Sequence, residues 1–200
     1  MTQALCFALD EVLVHRTRSD AAVLRDTLSA HEIDPTERLL TTATDTFREA
    51  FEGLESQPYR QSMAAVVAAA ESDADPDAMV ATLREQTYAA TTVPDAARES
   101  LAALGDDNLL AVVTDGPREW QEGKLHHHGR RDQFDAVVAS YEVGAHKPDA
   151  APFDRLREQV DAEEYVMVGD ASDVEGARAA GFVPIEYEGP ELWATIDALL

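Results

Sequence analysis

The sequence predicts an α/β protein with a doubly wound parallel sheet and an inserted, all-helical region. Two observations lead to this prediction. Short apolar runs alternate with helical patterns from residue 92 onward, as in parallel strands joined by right-handed helical crossovers. A further apolar run lies at residues 3–9, and only helical patterns separate it from the next run. We therefore expect an α/β core of residues 1–16 and 92–200, with residues 17–91 inserted after the first strand.

The predicted strands are apolar runs that end in glycine or polar residues, and segments with helical spacing lie between them. The expected strands cover residues 3–9, 109–114, 135–139, 165–169 and 183–187. The expected helices of the core cover residues 95–104, 117–128, 150–160, 174–180 and 190–199. The insertion shows helical spacing over residues 39–54, 63–70 and 79–88.

The charge of the chain is strongly negative. Thirty-nine acidic residues oppose sixteen basic ones, for a formal net charge of −23, and only Lys124 and Lys147 are lysines. The acids are spread along the chain, which indicates an acidic surface over a folded core. Such a surface needs strong screening, and in molar salt the Debye length is only about 3 Å. We therefore expect a halophilic protein from a salt-accumulating microbe.

Charge and hydropathy also exclude several classes of partner. Binding to nucleic acid requires clustered cations, which do not suit this acidic chain. No apolar run is long enough to span a membrane, and the amino terminus lacks the pattern of a secretion signal, so we expect a cytoplasmic protein without a membrane partner. The single cysteine, Cys6, lies in an apolar run, which indicates a buried thiol and no disulfide.

Polar residues follow four of the predicted strands. They are Asp10 after the first, Thr114, Asp115 and Gly116 after the second, Lys147 after the third, and Asp170 and Asp173 after the fourth. The carboxyl ends of parallel strands meet at one edge of the sheet, where open α/β sheets bind their ligands. A hydroxyl and backbone amides can bind phosphoryl oxygens, a lysine can neutralise their charge, and carboxylates can hold Mg²⁺.

The order and spacing of these motifs resemble the haloacid dehalogenase (HAD) superfamily, specifically small phosphatases with a helical cap after the first strand. The resemblance extends over essentially the whole chain. Three motifs carry it. The first is Thr114 in Val-Val-Thr-Asp-Gly, and the second is Lys-Pro-Asp at 147–149, followed by Pro152-Phe153. The third lies within residues 169–181 and consists of Gly169-Asp170, Asp173, Gly176-Ala177 and Ala180-Gly181. The resemblance implies a HAD-like, Rossmann-type core and a cap, residues 17–91, that closes over the site and selects the substrate.

By this resemblance, the site binds a small phosphorylated molecule. Thr114 would bind the transferring phosphoryl group, with Asp115 and Gly116 beside it, and Lys147 would offset its charge. Asp10 matches the acid/base of the family, which protonates the leaving group and later activates water.

The resemblance also implies a Mg²⁺ ion, for which Asp10, Asp170 and Asp173 are the expected acidic ligands. The interval from Asp170 to Asp173 is one residue shorter than we expect for the family, so this loop is predicted to be altered.

One departure from the family concerns the nucleophile. The first motif of the family is Asp-x-Asp, and its first Asp attacks phosphorus, but here the residues are Ala8-Leu9-Asp10. A methyl group cannot attack phosphorus, and it also removes a metal ligand. On an extended strand, Asp10 would share a face with position 8 but lie about 6.6 Å further along, which disfavours it as a replacement. Glu11 and Val12 also stand where the family often has Gly and Thr.

Two classes of function remain open from the sequence. The first is a Mg²⁺-dependent phosphatase of the HAD superfamily whose activity is weak or lost because Ala8 replaces the nucleophile. The second is a non-catalytic descendant of that fold, a possible pseudoenzyme that binds a phosphorylated ligand or serves in regulation or interaction. Ala8 is either natural or a substitution made to trap a substrate, and the changes at Glu11 and Val12 favour a natural origin.

Structural roles are the alternatives at several of these positions. Thr114 fits a helix cap equally well, since Thr-Asp-Gly-Pro is suitable for a helix start, and Asp115 is expected to be a cap or turn residue and not a catalyst. His126, His127 and His128 would point about 100° apart on a helix, so we expect them to stabilise its C-terminus and not to bind zinc.

Overall fold

The structure is a computed structural model that describes residues 2–196. Contacts between residues divide the chain into two compact units. Residues 1–15 with 92–200 are the core unit, and residues 16–91 are the helical unit. No helix among residues 2–196 has the length and apolar character needed to cross a membrane.

The core unit is built on a parallel sheet. The strands within residues 2–196 are β1 Gln3–Phe7, β2 His15–Arg16, β3 Thr91–Thr92, β4 Leu109–Thr114, β5 Ala136–Ala139, β6 Glu164–Gly169 and β7 Val183–Glu186. Five of these described strands form the sheet in the order β5-β4-β1-β6-β7, and all neighbours are parallel. From the central β1 the chain builds outward through β4 and β5, then returns to build β6 and β7 on the other side. This reversal confirms the predicted doubly wound fold.

The helical unit contains α1 Asp20–Ala30, α2 Glu37–Glu52, α3 Pro58–Ala70 and α4 Pro76–Ala89. Side-chain oxygens of Ser19, Thr36 and Asp75 accept hydrogen bonds from N–H groups in the first turns of α1, α2 and α4, so each acts as an N-cap. Apolar faces of the helices pack around buried residues such as Leu28 and Met63. The insertion after the first strand is therefore helical, as the sequence predicts.

The helices of the core unit pack on the sheet. They are α5 Asp95–Leu104, α6 Arg118–His127, α7 Ser140–Val143, α8 Ala151–Gln159 and α9 Ala171–Ala179, of which the short α7 was not predicted. α8 packs against β4 and β5, and α9 packs against β6 and β7. Phe153 of α8 and Leu5, Phe7 and Val112 of the sheet belong to one buried core. Cys6 is fully buried in β1, and this burial raises the pKa of its thiol.

The first strand is shorter than its apolar run predicts: it ends at Phe7 and not at residue 9. The carbonyl oxygen of Leu9 accepts hydrogen bonds from the N–H groups of residues 13–14, at 3.0 and 2.9 Å, so the chain turns away from the sheet there. Glu11, inside this turn, has a positive φ of 62°. The expectation that the strand extends to residue 9 is therefore wrong, whereas Asp10 follows the strand as predicted.

Two helices also differ from the prediction. α9 starts at Ala171 and not at residue 174, because the Asp170 carboxylate caps it and brings Asp173 into the first turn. The helix predicted for 190–199 is a 3₁₀ helix over Pro190–Ala194, where N–H groups bond to carbonyls three residues back, and residues 197–200 lie outside the described part of the chain. Trp193 in this segment is buried and stacks on a β1 aromatic ring, with centroids 5.7 Å apart.

Glycines allow α9 to lie very close to the loop that carries Lys147. A Cβ on Gly176 would lie 2.6 Å from the carbonyl oxygen of Pro148 and 2.8 Å from its Cα. A Cβ on Gly169, at the end of β6, would collide with the Asp173 side chain. Gly176 is therefore needed for α9 to approach the Lys147 loop, and Gly169 is needed for Asp173 to lie against the end of β6.

We expect Gly176→Ala to destabilise the protein by about 1–3 kcal/mol, because the new methyl group must push α9 away from Pro148. Helix propensity alone predicts the opposite sign, a gain of about 1 kcal/mol for alanine inside a helix. Urea unfolding in molar KCl, compared with the wild-type chain, measures the difference. The pair Glu175→Ala and Glu175→Gly, at an exposed position in the interior of the same helix, is the control for propensity. A stabilised Gly176→Ala variant would contradict the close packing.

The positive φ of Glu11 predicts that glycine is more stable at this position. A left-handed conformation costs a residue with a Cβ about 1–2 kcal/mol, whereas glycine adopts it freely but loses more entropy on folding. We therefore expect Glu11→Gly to raise the free energy of unfolding by about 0.5–1 kcal/mol. Glu11→Ala removes the same carboxylate without relieving the backbone and should give no gain. Urea unfolding gives the free energy of unfolding of both variants. If Glu11→Gly and Glu11→Ala change it equally, the change comes from the lost side chain and not from the backbone conformation.

Candidate active site

The carboxyl ends of β1, β4 and β6 lie side by side at one edge of the sheet. Phe7, the last residue of β1, is paired in register with Val112 of β4 and Val168 of β6. The next residue, Ala8, donates its N–H to the carbonyl oxygen of Val168 at 2.9 Å and is buried. Thr114 ends β4 and is also buried. The structure thus brings the first, second and fourth predicted motifs to one edge, with Ala8 directly after the central strand.

Two residues of α6 hold the carboxylate of Asp10. The Lys124 ammonium nitrogen lies 2.6 Å from Asp10 Oδ1, and the Gln121 amide nitrogen lies 3.2 Å from Asp10 Oδ2. The Asp10 side chain is 46% exposed, whereas that of Lys124 is 9% exposed. The carboxylate is therefore held at both oxygens while it stays accessible to solvent.

Gln121 connects the first motif with the second. Its Nε2, which carries two hydrogens, lies within hydrogen-bond distance of Thr114 Oγ1, at 3.1 Å, of the carbonyl oxygen of Asp115, and of Asp10 Oδ2. Its Oε1 is buried and has no hydrogen-bond partner within residues 2–196, which is uncommon in folded proteins. Because one amide nitrogen reaches three oxygen atoms, Gln121 fixes Thr114 and Asp10 relative to each other.

The loop after β5 brings Lys147 into the same network. Its backbone N–H donates to Asp115 Oδ1 at 3.1 Å, and its ammonium nitrogen lies 2.5 Å from Asp173 Oδ1. The side chains of Lys147 and Asp173 are only 7% and 6% exposed. Nearby, the Gly116 N–H donates to the Ser140 hydroxyl at 2.9 Å. Lys147 is therefore a buried, paired cation and not a solvated surface lysine.

Asp170 and Asp173 form a reciprocal cap at the start of α9. Asp170 Oδ1 accepts hydrogen bonds from the N–H groups of Ser172 and Asp173, at 2.8 and 3.0 Å, and from the Ser172 hydroxyl. Asp173 Oδ2 accepts one from the Asp170 N–H at 3.1 Å. Partial burial by itself raises the pKa of Asp170, but these hydrogen bonds and the charge of Lys147 outweigh it and hold that pKa below its ordinary value. Asp170 is therefore ionised at neutral pH.

The three predicted metal ligands do not form one cluster. Within residues 2–196, no group of three or more His, Cys, Asp or Glu side chains could hold a metal ion. Asp10 is paired with Lys124, Asp173 is paired with Lys147, and Ala8 supplies no oxygen from its side chain. The side chains present therefore do not fit a site with three carboxylate ligands.

Sequence reasoning did not identify Gln121, Lys124 or Ser140 as residues of this site. The first two lie three residues apart on α6 and therefore on the same face of the helix. Lys124 is also one of only two lysines in the chain, and both contact predicted site acids. That scarcity was the signal available in the sequence. The three consecutive histidines occupy the last turn and the C-cap of α6, as predicted.

Solved structures with the same fold cover almost the whole chain. YfnB from Bacillus subtilis, a HAD hydrolase described in a magnesium-bound form, matches with a TM-score of 0.74 at 20% identity, over 98% of this chain and 99% of that one. A 2-haloacid dehalogenase from Pseudomonas syringae pv. tomato matches with a TM-score of 0.71 at 23% identity, over 100% and 99% of the two chains. At these identities the likeness concerns the fold alone.

Two curated relatives match part of the chain. Pyrimidine 5'-nucleotidase YjjG of Escherichia coli is 37% identical over 86 residues, which are 40% of this chain and 38% of that protein. Ribulose-1,5-bisphosphate 5-phosphatase of Halopiger xanaduensis is 35% identical over 104 residues, which are 50% of this chain and 43% of that protein. Each match thus spans about two fifths of the length of the relative.

A family model covers far more of the chain. The model of the haloacid dehalogenase-like hydrolases matches residues 2–181, a range that contains β1, β4, β5, β6 and the whole network of Asp10, Thr114, Lys147 and Asp173. This match confirms the resemblance predicted from the order of the motifs. The chain belongs to the haloacid dehalogenase-like hydrolases.

Proposed function

We propose that this hydrolase is of the phosphatase type and acts on a small phosphorylated metabolite, with a turnover strongly reduced by Ala8. One observation supports the proposal above all. Asp10, Thr114 and Lys147 are joined in one polar network at the sheet edge, directly beside a residue whose side chain is a methyl group.

A phosphate group suits the donors around Ala8. Lys147 supplies a compact charge, and its ammonium group is already fixed by Asp173 before any ligand binds. Gln121 donates to the oxygen of the Thr114 hydroxyl, so the hydroxyl hydrogen is free to point at a phosphoryl oxygen.

The missing element is the nucleophile. In the reaction implied by the motifs, a carboxylate at position 8 attacks phosphorus, and the methyl group of Ala8 has no lone pair with which to do so. Asp10 does not replace it, because α6 residues hold both of its oxygens and it lies beyond the end of β1. We therefore assign Asp10 to proton transfer, in which it protonates the leaving oxygen and later accepts a proton from water.

Mg²⁺ is part of the same proposal, and Ala8 weakens its site. A bound magnesium ion would supply positive charge beside the phosphoryl oxygens. Asp170 is an ionised and exposed carboxylate that suits such an ion, whereas Asp10 and Asp173 are paired with lysines. Mg²⁺ is usually held by one or two carboxylates, so an aspartate restored at position 8 would complete the set.

The names of the two curated relatives support a first choice of substrates. They are a pyrimidine 5'-nucleotidase and a ribulose-1,5-bisphosphate 5-phosphatase. We therefore choose a panel of a pyrimidine nucleoside 5'-monophosphate, ribose 5-phosphate, ribulose 1,5-bisphosphate and p-nitrophenyl phosphate. The net charge of −23 makes molar KCl the appropriate medium, because it screens the repulsion between acidic side chains.

We expect the wild-type chain to show little turnover of this panel with Mg²⁺, and Ala8→Asp to raise kcat/KM by at least about 100-fold, because a nucleophile is restored in a formed site. Release of inorganic phosphate measures the reaction. Ala8→Asn, which has the size of aspartate without its nucleophilic carboxylate, is the matched control. Adding Asp170→Asn to Ala8→Asp should remove the gain, since asparagine still caps α9 but lacks the charge.

Clear turnover by the wild-type chain that Asp170→Asn abolishes would contradict the assignment of Ala8 as the limiting residue. Binding of these esters by the wild-type chain in calorimetry, with no turnover by Ala8→Asp, would instead favour a ligand-binding protein without catalysis.

A further inference from the structure

The contact between Lys124 and Asp10 is the feature of the site that the proposed function leaves unexplained. Lys124 Nζ lies 2.6 Å from one oxygen of Asp10, and Gln121 Nε2 lies 3.2 Å from the other. Both donors come from one face of α6. A single helix face thus holds the carboxyl group to which we assign proton transfer.

The choice of lysine at this position is unusual for the chain. Fourteen of the sixteen basic residues are arginines, and only Lys124 and Lys147 are lysines. In the described ion pairs the arginine side chains are 22% to 57% exposed, whereas the two lysines are 9% and 7% exposed. Lysine carries a compact point charge, whereas arginine presents a planar fork with five donors. Both lysines of the chain thus lie in the site, and each places its compact charge against one carboxylate oxygen.

Stability alone does not account for the burial of Lys124. Removing an ammonium group from water is costly, and attraction to a partner offsets this cost only when the geometry is very good and the remaining hydrogen bonds are made. Asp10 is 46% exposed, so water screens the pair and lowers its contribution to folding. Control over the position of the Asp10 carboxyl group is a better explanation of this buried cation than folding energy.

We propose that Lys124, assisted by Gln121, is the positioning residue of Asp10 and holds its carboxyl group where the proton is transferred. The inference rests on the proposed function, since it concerns the proton-transfer residue of that reaction. With Oδ1 bound to Lys124 and Oδ2 bound to Gln121, rotation of the carboxyl group is restricted. Each oxygen has a second lone-pair direction, so a site for the proton remains on the solvent-accessible side.

The step that this geometry serves takes place in a chain with a carboxylate at position 8. That carboxylate forms a bond to phosphorus while the bond between phosphorus and the ester oxygen breaks. Asp10 gives its proton to the departing oxygen, which leaves as an alcohol. The ionised Asp10 then accepts a proton from the water molecule that attacks the phosphorylated side chain, and phosphate is released. An alkoxide needs the proton in order to leave, whereas p-nitrophenolate leaves without it.

The test compares two esters in the Ala8→Asp background, in molar KCl with Mg²⁺: p-nitrophenyl phosphate and the alkyl phosphate of the panel that is hydrolysed fastest. The readout is kcat/KM, which reports the steps up to departure of the leaving group. We expect Lys124→Met to lower kcat/KM about 10–100-fold for the alkyl ester, and about threefold or less for p-nitrophenyl phosphate. Methionine replaces the buried stem of lysine with a flexible apolar side chain, so the packing of α6 is kept.

Two further variants complete the experiment. Lys124→Arg keeps the charge but not its compact shape, and it should give an intermediate loss with the same dependence on the leaving group. If Lys124→Met does not fold, the kcat/KM values of Lys124→Arg for the two esters decide whether Lys124 has the positioning role. Arg118→Met is the matched control, because it removes from the same helix a cation that is paired with Glu122 and Glu142, and it should affect both esters equally.

The outcomes separate the two proposals. A larger loss for the alkyl ester supports the positioning role of Lys124. Equal losses for the two esters in an active Ala8→Asp background would overturn that role and leave the proposed function in place. No turnover of any ester by Ala8→Asp would overturn the proposed function, and the role of Lys124 with it.

Discussion

The buried ion pair between Lys147 and Asp173 connects parts of the site that are distant in sequence. Its charged atoms are 2.5 Å apart, and both side chains are almost completely buried. Removing one partner of such a pair typically costs about 3–5 kcal/mol, because the other charge stays buried and unpaired. The close approach depends on Gly169 and Gly176, where a side chain would collide with Asp173 or with the Pro148 backbone. The ion pair in the site therefore depends on the close packing of α9, and a change to either one disturbs the other.

The same constraint explains the short interval between the two acids of the fourth motif. Asp170 is the N-cap of α9, and Asp173 is its third residue, which is the spacing that a capping box requires. One oxygen of Asp173 accepts the Asp170 N–H, and the other faces Lys147. Asp173 is thus committed to the helix start and to the lysine, while Asp170 stays exposed at the edge of the sheet. A motif that the sequence presents as two equivalent acids has two different environments in the structure.

A second set of constraints comes from α6. Gln121 and Lys124 bind Asp10, and Gln121 also reaches Thr114, so one helix face fixes the polar groups at the ends of β1 and β4. None of these contacts involves a side chain at position 8. If position 8 carries the nucleophile, as we propose, alanine removes the reactive group and leaves these contacts in place. This separation of structure from chemistry is the physical basis for expecting that one substitution restores turnover.

The sequence by itself determined the doubly wound fold, the helical insertion, the net charge and the alanine at position 8, because these follow from composition and from local periodicity. It also indicated that Thr114 and Lys147 lie at the carboxyl edge of the sheet, since parallel strands end there together. Only the tertiary structure decided where β1 ends and which acid faces which lysine. Lys124 and Asp10 are 114 residues apart, and their contact depends on how α6 packs on the sheet, which no local pattern encodes.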